Sequence, residues 1–207
     1  MKVLLLNGSS RKNGCTYLAL SEVAKVLNEN EIDTEIVQMG GRPVRDCIGC
    51  NGCAGKGQCV FGDDIANEII AKAKDADGLV FGSPVYYAHP SGQVLSLLDR
   101  VFYAGGAAFI HKPGAVIVTA RRAGTTASLD VLNKYLLNAE MPIASSTYWN
   151  MVFGPAPEKV EQDKEGLQTM RNLARNMAWL LRCIQAGQKQ GCLPPDAERE
   201  QWTNFNR

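Results

Sequence analysis

The chain has 207 residues, with 22 basic against 21 acidic side chains and 45% of its residues apolar. That length supports one well-buried core and is too short for two ordinary domains. The near-zero charge leaves no electrostatic footprint for nucleic acid or an anionic membrane surface, and no apolar stretch is long enough to span a bilayer.

The chain begins Met1-Lys-Val-Leu-Leu-Leu-Asn7 and passes into Gly8-Ser9-Ser10. Its apolar run is short and lacks a small-residue cleavage site, so residues 3–7 read as a buried strand and not as a signal peptide. Residues 16–28 follow with Leu18, Val23, Val26 and Leu27 at helical spacing. A second strand is expected at 34–38, and then a segment with four of the chain's seven cysteines. Asp63 or Asp64 can cap a helix running to about Lys74. Residues 78–82 form a wholly apolar strand, the pattern of a strand covered on both faces. A helix at 91–103, a strand at 115–119, a helix at 125–137 and a short fifth strand at 143–146 complete the alternation. One long helix is expected over 158–185. No internal repeat or low-complexity stretch is visible. The folded domain is taken as 1–186 and the remainder, 187–207, as a tail whose Pro194-Pro195, Trp202 and Phe205 suggest surface awaiting a partner.

Strands alternating with helices imply an α/β fold in which right-handed crossovers build a doubly wound, five-stranded parallel sheet. The expected order is 2-1-3-4-5, the flavodoxin-like variant, which binds ligands outside the carboxyl ends of its strands. The odd cysteine count without an export signal argues for a reducing, cytoplasmic setting.

Three loops fall at that carboxyl edge. The first is Gly8-Ser9-Ser10-Arg11-Lys12-Asn13-Gly14-Cys15-Thr16, which opens directly into a helix. Free N–H groups, the positive dipole end and nearby hydroxyls suit a phosphate monoester. The nucleoside-triphosphate loop and the dinucleotide fingerprint are both absent, and the second strand ends in Gln38-Met39-Gly40 without an acid for a ribose diol. A mononucleotide fits better; a helix capped by Ser or Thr with no ligand is the alternative. The second loop carries Ser83-Pro84-Val85-Tyr86-Tyr87-Ala88-His89. Pro84 restricts the chain where it leaves the strand, and the tyrosines either receive a flat ring or cover the rim of the core. His89 and His111 are the two histidines, and a lone loop histidine is more often solvated than functional.

Gly8-Ser-Ser-Arg-Lys-Asn-Gly14, Ser83-Pro-Val-Tyr86 and Leu98-Asp-Arg100 resemble the flavodoxin-like NAD(P)H-dependent FMN reductases. Cys47 to Cys59 resembles the compact cysteine motif of their relatives, the iron–sulfur flavoproteins, and Tyr148-Trp-Asn-Met151 also looks like that group. The resemblance implies that Ser9, Ser10, Arg11, Asn13, Gly14, Cys15 and Thr16 hold an FMN phosphate. It also implies that Pro84, Val85, Tyr86 and Tyr87 contact the ribityl chain and ring. Cys15 departs from the family, which commonly has Asn before the Thr. The implied activity is transfer of electrons from NAD(P)H through FMN to flavin, quinone or a one-electron acceptor, small molecule or protein. Relatives are oligomeric, so a homodimer or homotetramer is expected. A flavodoxin-like electron carrier and a cysteine-based redox or metal sensor are the competing functions.

The third loop, Ala120-Arg121-Arg122-Ala123-Gly124, joins the same edge. Arg121 and Arg122 would favour an anionic reduced flavin or attract the phosphates of a nicotinamide cofactor, and Gly124 closes the loop. The alternative is a solvated pair beside the next helix.

The cysteine segment spaces Cys47, Cys50 and Cys53 as C-x2-C-x2-C, with Cys59 close behind and glycines between. Four local thiolates suit a [4Fe-4S] cluster. Zinc usually takes two separated C-x2-C pairs, and free thiols are the third reading. Cys183 reads as a core or interface thiol on the last helix, and Cys192 is isolated.

Overall fold

The structure, a computed structural model, describes residues 1–201 and 203; Trp202 and Phe205 of the tail lie outside the described residues. Five parallel strands, β1 (Lys2–Asn7), β2 (Asp33–Gln38), β3 (Gly78–Tyr86), β5 (Gly114–Ala120) and β6 (Met151–Phe153), lie in the order β2-β1-β3-β5-β6. The two-residue β4 (His89–Pro90) folds back antiparallel on the end of β3. Counted over the parallel strands alone, this is the expected 2-1-3-4-5 arrangement.

The central strands β3 and β5 are buried along almost their whole length, which is why they read as unbroken apolar runs. Helix α1 (Cys15–Glu29) and helix α6 (Lys164–Lys189) cover one face, with Leu20, Val23, Leu27, Leu173 and Met177 against Val3, Leu5 and Val80. Helices α2 (Ala66–Lys74), α3 (Gly92–Gly105) and α4 (Thr125–Asn138) cover the other, where Ile69, Leu97, Val101 and Leu132 meet Leu4, Leu6 and Val116. Asp64 starts α2 by accepting the Ala66 N–H at 3.0 Å. Among the described residues no helix is long and apolar enough to cross a membrane.

Two expectations are corrected. The fifth strand is not at 143–146: Ile143 forms only an isolated parallel bridge to Gly114, and the strand proper is β6 at Met151–Phe153. The chain pairs with the foot of β5 through Gly114 N–H to Pro142 O and Ala144 N–H to Gly114 O. It then detours outward, because Ser146 Oγ donates to Thr169 O and the Asn176 side-chain amide donates to Ser145 O, anchoring the detour on α6. Val118 N–H then recovers the pairing at Asn150 O. The last helix is also not continuous from 158. A short α5 (Pro157–Val160) ends before Asp163, which caps α6 by accepting the Gly166 N–H at 2.9 Å. Helix α6 then runs to Lys189, past the boundary expected at 186.

Candidate functional site

The carboxyl edge is organised by two polar residues that end adjacent strands. Asn7 closes β1 and Gln38 closes β2, and they are register partners. Asn7 is fully buried. Its Oδ1 accepts the Ser9 N–H and its Nδ2 donates to Lys12 O, each at 3.2 Å, and also to Gln38 Oε1. Gln38 Nε2 donates to Ser9 O at 2.6 Å, and Gly8 N–H donates to Gly82 O at 2.9 Å. The first loop is therefore wound around side chains that the motif reading did not assign to the site. The signal was present: a polar residue at the carboxyl end of each of two adjacent strands, Asn7 after the buried run of β1 and Gln38 after Val37 of the half-buried β2.

Helix α1 opens at Cys15 behind Gly14, whose backbone is extended (φ −84°, ψ −174°), and no side chain caps it. Its first-turn N–H groups have no intrahelical partner. Ser9 Oγ is occupied otherwise, accepting the Arg11 N–H at 3.1 Å. The reading of a helix merely capped by Ser or Thr therefore does not describe this loop. The uncapped end faces a cleft of about 210 Å³.

Three expected groups meet in that cleft: Ser9, Arg11, Gly14, Cys15 and Thr16 from the first loop, Pro84, Val85 and Tyr86 from the second segment, and Arg121 from the third loop. The second segment is not a loop as far as Tyr86: β3, expected to end at 82, continues to Tyr86 because Pro84 pairs with Thr119 of β5, and Val85 and Tyr86 pair with β4. Thr119, Gly154 and Pro155 also line the cleft and were not anticipated. Thr119, next to last in β5, shares a 2.9 Å hydroxyl contact with Thr16, so the two walls are bonded across the floor. Gly154 and Pro155 follow β6, and misplacing that strand in the sequence hid them.

The other expected residues stand at the rim or behind it. Ser10 Oγ lies 3.5 Å from Tyr86 OH. Asn13, Tyr87, Arg122 and Gly124 are not among the lining residues. Tyr87 has a left-handed backbone (φ +61°) and is fully exposed, and Arg122 is exposed. Gly124 has φ +88°, and a Cβ there would meet Val85 Cγ1 at 2.8 Å and Ala88 O at 2.9 Å. It lets the third loop pack against the second. Ser83, fully buried, fixes the second loop from beneath by donating to Pro84 O and accepting the Ser91 N–H. Cys15 Sγ donates to Gly154 O at 3.6 Å, and burial pushes its thiol pKa up.

The cysteine segment starts at the same edge and then descends along α3. Gln93 bonds Arg42 O, Ser96 bonds Asp46, Arg100 bonds Arg45 O and Phe61 O, and Tyr103 OH donates to Asn51 Oδ1. At 1.5 Å per residue, those helix positions step roughly 15 Å away from the cleft. Gly49, Asn51, Gly55 and Gly57 all have positive φ, which turns the segment tightly. Cys47, Cys50, Cys53 and Cys59 line one common hollow with Arg100 and Tyr103. Cys47 and Cys50 are exposed, while Cys53 and Cys59 are partly buried. Among the described residues no three Cys, His, Asp or Glu side chains are grouped to hold a single metal ion. Four cysteine sulfurs lining one hollow are, by residue type, the donor set that an iron–sulfur cluster takes.

Residues 1–156 match the family model described as NADPH-dependent FMN reductase. An iron–sulfur flavoprotein of Methanocaldococcus jannaschii is 34% identical, the match covering 89% of this chain and 99% of that protein. An archaeal flavodoxin superposes with a TM-score of 0.61 at 12% identity, covering 88% of this chain and 99% of that one. The apo form of an NADH:FMN oxidoreductase gives 0.61 at 17% identity, covering 86% of this chain and 89% of that one. At such identities the structural matches speak to the fold alone.

Proposed function

The chain belongs to the NADPH-dependent FMN reductase family, and from that premise we propose that it binds FMN in the cleft and oxidises NAD(P)H. We propose further that it passes the electrons to flavin, quinone or a one-electron acceptor, with a [4Fe-4S] cluster held by Cys47, Cys50, Cys53 and Cys59. The observation that carries the flavin reading is the uncapped start of α1 inside a cleft flanked by Arg11 and Arg121. Unpaired N–H groups, the dipole end and the Arg11 guanidinium together suit a phosphate dianion.

When bound, FMN supplies the exchange between electron pairs and single electrons, and an iron–sulfur cluster carries single electrons. The chain's own residues supply binding and orientation. The Gly14–Thr16 backbone and Arg11 receive the phosphate. Pro84 and Val85 give the ring a stiff edge, Tyr86 flanks it, and Thr119, held by Thr16, fixes the floor. Arg121 places positive charge where negative charge accumulates on reduction. Cys47 and Cys50, being exposed, put the cluster segment within reach of an external acceptor.

The test is titration of the flavin-free chain with FMN, then steady-state oxidation of NADH and of NADPH with several acceptors, alongside iron and acid-labile sulfide on anaerobically prepared protein. Stoichiometric FMN, rapid oxidation of one nicotinamide cofactor and about four irons per chain support the reading. A chain that refuses FMN refutes it. A chain that takes FMN but holds less than about one iron after reconstitution refutes the cluster alone.

A further inference from the structure

We infer that Arg100 is the positioning residue for the fourth thiolate: its guanidinium holds Cys59 in the hollow and places a fixed positive charge beside the cluster. The inference rests on the cluster reading proposed above.

Arg100 lies on α3, is 1% exposed and heads the fully buried side chains by size. Burying a guanidinium is costly unless its donors are used, and here each nitrogen has a partner. Nη1 donates to Asp64 and to Arg45 O, Nη2 to Phe61 O at 2.8 Å, and Nε to Cys59 Sγ at 3.3 Å. The oxygen partners alone account for an arginine that ties a loop to a helix. The Nε–H directed at sulfur is what distinguishes this one.

Cys59 needs such a device more than its companions do. Cys47, Cys50 and Cys53 follow one another at a spacing that a local turn can fold inward. Cys59 comes after Ala54-Gly-Lys-Gly-Gln58, in which Gly55 and Gly57 both sit at positive φ. Nothing local fixes its direction. Two elements fix it instead: Asn67 of α2 bonds both the Cys59 N–H and C=O, and Arg100 of α3 bonds the sulfur. Asn67 sets the backbone and Arg100 the Sγ.

The charge has a second consequence. Hydrogen bonds to sulfur and nearby charge are levers on the potential of an iron–sulfur group. Each added electron makes the group more negative, so an adjacent guanidinium favours the reduced state more than the oxidised one. Removing it lowers the potential.

The experiment compares wild type with Arg100→Lys, Arg100→Gln and the double variant Arg100→Gln/Asp64→Asn, all reconstituted with iron and sulfide and bound to FMN. The double variant removes both charges, so neither is stranded, and the asparagine keeps an oxygen for the Ala66 N–H. Three quantities are read: the cluster's midpoint potential, the rate of iron loss to a chelator, and FMN affinity. Arg100→Gln and the double variant are expected to lower the potential and to lose iron about 10–100-fold faster. Arg100→Lys keeps much of the potential yet also loses iron faster, because an ammonium lacks the rigid fork. FMN affinity stays at the wild-type value in all three, since the cleft and the hollow share no lining residue. Wild-type potential and iron retention in the double variant overturn the inference, as does loss of FMN binding in every variant, which would make Arg100 a general support of the fold. A wild-type chain that binds FMN but takes up no iron overturns the cluster reading itself, and the inference with it.

Discussion

Gly8 shows how little freedom the cleft has at the level of single residues. A Cβ there would overlap Val94 Cγ2 and the Gly82 carbonyl oxygen, and neither can retreat, because Val94 is fully buried and Gly82 O accepts the Gly8 N–H. Gly8→Ala is expected to cost about 1–3 kcal/mol by overpacking, read by denaturant unfolding of the flavin-free chain. The two arginines of the third loop, equivalent in the sequence, are separated by the structure: Arg121 lines the cleft and Arg122 does not. Arg121→Ala is expected to weaken FMN on the order of tenfold, while Arg122→Ala leaves it near wild type, as fluorescence titration will show. Cys15 offers a pH-dependent check. Burial raises its pKa above the ordinary thiol value, so less thiolate is present at any given pH and alkylation is slower. Its reaction with iodoacetamide is expected to trail that of exposed Cys183 and Cys192 and to rise only at higher pH. Bound FMN should slow it further.

Among the elements, the junction between β6 and α6 does the most for the site. Asp163 Oδ1 accepts the Gly166 N–H at 2.9 Å and Oδ2 accepts the Phe153 N–H at 2.7 Å. One carboxylate thus joins the end of the edge strand to the start of the last helix, immediately behind Gly154 and Pro155. Asp163→Ala removes a helix cap and is expected to cost about 1–2 kcal/mol, measured as a shift in the denaturation midpoint at constant slope. Because β6 has only three residues, the same change should loosen the Gly154 wall and weaken FMN binding as well. The sequence concealed this junction. Helical periodicity runs on from residue 158, and the interruption becomes visible only through the backbone groups that Asp163 satisfies.

At the scale of the molecule, the two candidate centres occupy separate places. The cleft is built from strand ends and the hollow from a segment laid along α2 and α3, with no lining residue in common. Cys59→Ser is therefore expected to lower iron content while leaving FMN affinity within about twofold of wild type, a difference below roughly 0.5 kcal/mol. Metal analysis and flavin titration on the same preparation check both halves. A simultaneous loss of flavin would mean that the segment supports the cleft from a distance.

The periodicities of 2.0 and 3.6, the doubly buried runs at β3 and β5, and the glycine-rich first loop determined the architecture, and with it the edge where ligands bind. They also determined most of the cleft, because loops that follow parallel strands are delivered to one edge by topology alone. The thirteen residues from Cys47 to Cys59 likewise announced four gathered thiols. Only the tertiary structure decided which arginine enters the cleft, since adjacent loop residues point in different directions that no spacing encodes. It also supplied the polar pair Asn7 and Gln38, which meet only when β1 and β2 pair in register. Tertiary packing led the cysteine segment away from the edge and down α3, because hydrogen bonds from Ser96, Arg100 and Tyr103 hold it there. Arg100, read in the sequence as one letter of a family motif, proves to be the buried donor to Cys59, a contact between residues 41 positions apart that exists only once α3 is packed.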